Sequence, residues 1–208
     1  MSQPVDPIRR SYWLKTLHAW HWTSSALCLV GILLFSITGI TLNHSAQIEA
    51  KAVVSTQKSR LPAELLAELA TATSETGAAL PESLRDWLEA QLDVRVGARS
   101  AEWSDSEIYV SMPRAGGDAW LSIDRASGEI EYERSDRGWI SWLNDLHKGR
   151  NTGAAWNWFI DVFAIASVVF ALTGFFLLHL HARQRPLTWP LVGLGFMVML
   201  LIAILFVH

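Results

Sequence analysis

Six of the seven histidines in this 208-residue chain gather around two apolar segments. His18 and His21 precede the first segment and His44 lies at its end; His147 precedes the second, and His179 and His181 lie at its end. His208 stands apart at the last position. Neutral imidazole is a good iron ligand, so two antiparallel helices that each bring a histidine to one membrane depth can supply both axial ligands of a haem. By depth, His44 with His147 forms an outer pair and His18 with His179 an inner one, with His21 and His181 as alternates on the inner side. The expected cofactor is haem b, one or two per chain. His18 and His21 share a helical face, whereas His179 and His181 point in different directions, so one of the latter pair at most faces the first segment.

The spacing repeats. Thr38-Gly39 precedes His44 with four residues between, and Thr173-Gly174 precedes His179 in the same way. Leu17-His18 and Leu146-His147 open the two segments. Because the segments run in opposite directions, the repeat has inverted topology. Gly31, Gly39 and Gly174 would let a flat cofactor or a packed helix approach the backbone. From His18 to His44, 26 residues apart, a continuous helix covers roughly 39 Å, long for a single electron jump. A tilted span or unwound ends, Phe35 and Phe170 as intermediates, and occupancy of one site alone are the options.

Half the residues are hydrophobic and 11 are tryptophan, and the apolar ones concentrate in residues 22–44, 154–181 and 187–207. Each is long enough to cross a bilayer as a helix, and Pro190 suits a first turn or a kink. The fold class is therefore an integral membrane α-helical protein with three transmembrane helices. Arg9, Arg10 and Lys15 before the first span, and Arg183 and Arg185 between the second and third, put the N-terminus in the cytoplasm and the middle domain outside; Lys148 and Arg150 argue weakly against. Trp13, Trp20, Trp22, Trp139, Trp142, Trp156, Trp158 and Trp189 fall near span ends, where indole is stable at headgroup level. Residues 1–21 read as a cytoplasmic or interfacial segment, and the first span as an uncleaved signal anchor. Asp161 is the one acidic residue well inside a span, a candidate functional or interfacial group. The lone Cys28 reads as packing, and a net charge of −3 gives no sign of nucleic-acid binding.

Residues 45–142 form an inserted α+β domain. Stripes of Leu65, Leu66 and Leu69, and of Leu84, Trp87, Leu88 and Leu92, predict helices over residues 62–73 and 81–92, each opened by proline and joined by a linker rich in Thr, Gly and Ala. Short alternating runs at 107–112, 120–124 and 129–133 predict an antiparallel meander. Residues 143–153 read as an interfacial segment. The domain has no metal-ligand spacing and no serine nucleophile motif, and the glycines never form a dinucleotide fingerprint, so electrons would come from a quinol or a protein donor.

Several motifs together resemble the PepSY-associated transmembrane helix family: Leu17-His18-Ala19-Trp20, Thr38-Gly39, Leu143-Asn144-Asp145-Leu146-His147-Lys148-Gly149 and Thr173-Gly174. The turn Asp124-Arg125-Ala126-Ser127-Gly128-Glu129-Ile130 is similar to the hairpin closing a PepSY unit. The resemblance implies a periplasmic PepSY-like domain on a haem-containing inner-membrane reductase that releases iron from a ferric siderophore as Fe(II). Larger members have at least four spans, so this chain is either complete in one subunit or a homodimer. The rival classes are a membrane-anchored PepSY-type regulator or assembly subunit without enzymatic activity, and a protein binding copper, zinc or iron directly.

Overall fold

The computed structural model describes residues 7–48, 51–71 and 77–207. His208 and residues 72–76, which take in the end of the first expected domain helix and part of the expected linker, lie outside them. The chain divides into two compact units, Met1–Leu34 with Trp158–His208, and Phe35–Asn157.

The second unit holds the inserted domain. In chain order it contains the end of helix α1 (Pro7–Asn43), strand β1 (Val53–Arg60), α2 (Ala63–Thr71), α3 (Glu82–Leu92), β2 (Glu102–Trp103), β3 (Glu107–Ser111), β4 (Gly117–Asp124), β5 (Glu129–Asp136) and α4 (Gly138–Lys148). The five strands make one antiparallel sheet in the order β1-β5-β4-β3-β2. Alternation sets its core: Ile108 and Val110 of β3, Leu121 and Ile123 of β4 and Ile130 of β5 are buried together with Leu69 of α2 and Leu84 and Leu88 of α3. Side chains this buried are each worth about 1.5–3 kcal/mol over exposure, which makes this face the source of the domain's stability. The Asp124–Gly128 hairpin closes with Gly128 at φ +71°, and Asp124 Oδ1 accepts from the Ala126 N–H, the Ser127 N–H and the Ser127 hydroxyl. β1 escaped the sequence reading because Ser, Thr, Gln, Lys, Ser and Arg fill most of it and it is almost wholly exposed. Backbone pairing with β5 fixes it, from Val53 opposite Asp136 to Arg60 opposite Glu129.

α4 carries polar residues inward. Asn144 and Asp145 are its buried positions, and Gly149 stops the helix in the left-handed conformation. The Asp145 carboxylate accepts from the Gly116 N–H at 2.9 Å and pairs with Arg137 at 3.4 Å, tying α4 to the turn before β4.

The first unit contains most of α1 and of α5 (Ala154–His181), a short 3-10 turn over Ala182–Gln184, and α6 (Thr188–Phe206). All three helices are long and apolar enough to cross a membrane. α1 begins at Pro7, well before the first apolar segment. A Cβ on Gly31 would run into the Phe163 ring, so glycine is what lets α1 approach α5 there. Cys28 is fully buried, consistent with a packing role.

Candidate functional site

Within the second unit, the bond from Asp145 fixes α4 two residues ahead of His147. The His147 Nδ1 lies 2.7 Å from Thr38 Oγ1 of α1, and its ring is 5.0 Å from that of Phe35. A Cβ on Gly39 would touch His147 Cε1 at 3.6 Å, an ordinary contact, so the ring lies directly against the Thr-Gly step. Beside it the Thr41 hydroxyl donates to Asn144 Oδ1 at 2.7 Å, and Thr38 and Asn144 are both buried.

Within the first unit the same arrangement recurs. His21 Nδ1 lies 3.1 Å from Thr173 Oγ1 and 3.3 Å from the Phe170 carbonyl. Its ring stacks on Phe170 at 4.8 Å with 15° between planes. A Cβ on Gly174 would stand 3.1 Å from His21 Cε1, closer than a side chain tolerates without movement. Each cradle is thus Phe-x-x-Thr-Gly, at Phe35 to Gly39 and Phe170 to Gly174, and each receives a histidine from the segment that opens the other span. The Thr-Gly steps repeat in the sequence by their spacing to His44 and His179, and in the structure they meet His147 and His21. The signal for the true neighbours was the phenylalanine one turn before each threonine.

Of the other described histidines, His44, His179 and His181 stand at helix ends and His18 lies within α1. The His18 ring faces that of His181, with centroids 6.2 Å apart and planes at 88°. His179, the expected partner of His18, instead meets Trp189 of α6 edge-on at 5.7 Å. Two residues apart on a helix, His179 and His181 project roughly 200° from each other, and it is His181 that turns toward α1. His18, His44 and His181 each hold Nδ1 against the carbonyl four residues earlier: Leu14 at 2.8 Å, Ile40 at 3.0 Å and Leu177 at 2.8 Å. A carbonyl only accepts, so Nδ1 carries the proton in all three and Nε2 keeps its lone pair. His44, the expected partner of His147, is exposed and turned to its own helix.

An open cavity of about 460 Å³ lies between His21 and His181, walled by Gly174 and Leu177, with Arg185 and Thr188 at one side. Among the described residues no group of three or more His, Cys, Asp or Glu side chains could hold a bare metal ion. Asp161 is exposed on α5.

A family model described as "Putative PepSY_TM-like" matches residues 12–208, nearly the whole chain. No curated protein and no solved structure matches it.

Proposed function

The chain belongs to the PepSY_TM-like family, and from that premise we propose that it is a b-type haem electron-transfer protein of a bacterial inner membrane, reducing a periplasmic Fe(III)-siderophore with electrons from a quinol or a protein donor. The observation that carries this reading is the His18–His181 pair. The two rings stand 6.2 Å apart between centroids, which brings two imidazoles from different helices to one place. Both rings are oriented by Nδ1–H bonds to backbone carbonyls, the support expected of metal-binding imidazoles. Two donors suffice for a haem, whereas a bare cation takes three or four protein ligands. The cavity beside His181 falls in the ordinary size range of a cofactor site, and its lining adds the Arg185 cation for the carboxylates of the macrocycle.

Bound haem supplies one-electron exchange between ferric and ferrous iron at a potential set by ligands and burial. His18 and His181 would hold it on the cytoplasmic side, the side assigned to Arg9, Lys15, Arg183 and Arg185 by their charge. On the outer side, His147 and, as the second imidazole of that end, His44 would be the donors for a second haem. The inserted domain, periplasmic in this orientation, would receive the acceptor next to α4.

The test is an absorption spectrum of detergent-purified protein before and after dithionite, with a pyridine haemochrome count and re-oxidation by a ferric siderophore. At least one haem b per chain and re-oxidation on mixing are expected. No Soret band, in protein made with ample haem, would overturn the reading and leave the inserted domain as a membrane-anchored binding module.

A further inference from the structure

The two Phe-x-x-Thr-Gly cradles do more than pack. A threonine hydroxyl has one hydrogen, and at Thr173 it is directed at the Val169 carbonyl at 2.8 Å and the Phe170 carbonyl at 3.0 Å. Toward His21, Thr173 Oγ1 can therefore only accept, and so can the Phe170 carbonyl. His21 must carry its proton on Nδ1. At Thr38 the hydroxyl hydrogen has the Phe35 carbonyl within reach at 3.3 Å, which lets Oγ1 accept from His147 Nδ1, 2.7 Å away. One device thus occurs twice, on opposite spans, with the same residue types at the same spacing.

We propose that Thr38 and Thr173 are positioning residues that lock His147 and His21 as Nδ1–H tautomers. The lock leaves each Nε2 lone pair directed away from its cradle. At His147 that nitrogen would be an iron donor at the outer site, and here the inference rests on the haem reading given above. At His21 it is a hydrogen-bond acceptor at the cavity shared with His181. An acceptor on Nδ1–H strengthens the opposite nitrogen as a donor, which favours ferric iron. Among the described residues, Thr38 is the hydrogen-bond partner found at His147 Nδ1, whereas His21 keeps the Phe170 carbonyl if Thr173 is lost. The effect should therefore be larger at Thr38.

The tautomer is read directly from ¹⁵N chemical shifts of histidine-labelled, haem-free full-length protein in detergent, assigned with H21A and H147A. Both rings should be Nδ1–H. T38V, which keeps shape and removes the acceptor, should move His147 toward the Nε2–H form, and T38S should restore it. His147 found as Nε2–H in the unmodified protein, or unchanged in T38V, would overturn the proposal. In the haem-loaded protein, T38V should raise one midpoint potential by a roughly tenfold change in the ferric-to-ferrous ratio, about 59 mV for one electron, with T38S again near the unmodified value. Haem retained at unchanged potential in T38V would overturn it as well. Absence of haem from the unmodified protein would instead sink the functional reading, while the shifts of the haem-free chain still decide the tautomers.

Discussion

Removing the Asp145 carboxylate should unfold the inserted domain early and release His147. Asp145 is buried, only 5% exposed, and in D145A the Gly116 N–H loses its acceptor inside the protein. An orphaned buried donor costs about 1–3 kcal/mol. Arg137 loses its partner too, but its side chain is 35% exposed, so solvent screens the loss to about 0–1 kcal/mol. Together the change should cost roughly 1–4 kcal/mol, and at about 4–8 °C per kcal/mol for a domain of this size the melting temperature should fall by at least about 4 °C, and by roughly 10–20 °C near the middle of that range. D145N keeps one oxygen for Gly116 and should cost about half as much, and R137A least. Circular dichroism of the sheet signal during thermal unfolding of the full-length protein in detergent measures all three. D145A melting within about 2 °C of the unmodified protein would refute the assignment of Asp145 as the tie between α4 and the sheet.

Gly116 sits at φ +74°, and a Cβ there would press on the backbone of Trp142, so G116A should destabilise the domain by about 1–3 kcal/mol in the same melts. Leu121 is fully buried in the sheet core, and L121A should cost about 2–5 kcal/mol, measured by urea titration of the tryptophan signal. The Ser127 N–H, then its hydroxyl, hold the Asp124 carboxyl below the usual carboxylate range; the Gly138 N–H, then Arg114, do the same for Asp136. Both folded values lie below the unfolded value of about 3.9, so this stability is fully present above that value and is lost as pH falls through the folded ones. Acid titration should show the unmodified domain weakening below about pH 4, and a D124N/D136N variant should start less stable and change less over that window.

What the sequence made legible was whatever burial patterned. Three long apolar runs and the alternation in β3, β4 and β5 follow from apolar side chains leaving water, and the helix stripes of Leu69, Leu84 and Leu88 follow likewise. β1 left no such trace, because an exposed edge strand held by backbone pairing needs no apolar face. α4 was hidden for a related reason: its inward residues are Asn144 and Asp145, held by hydrogen bonds that no periodicity of apolar residues announces. At the candidate site, residue type pointed to the six histidines, but which ring meets which depends on helix rotation. That rotation sets His181 against His18, and places His21 and His147 in cradles whose floors lie far away in sequence.

The most direct measurement compares dithionite-reduced spectra and haemochrome counts of H18A, H181A and H179A in detergent-purified full-length protein of verified helical content. The account predicts that H18A and H181A each lose the haem held at the inner site, while H179A, whose ring packs on Trp189, keeps it. Full haem in H18A and H181A, or its loss in H179A alone, would contradict it.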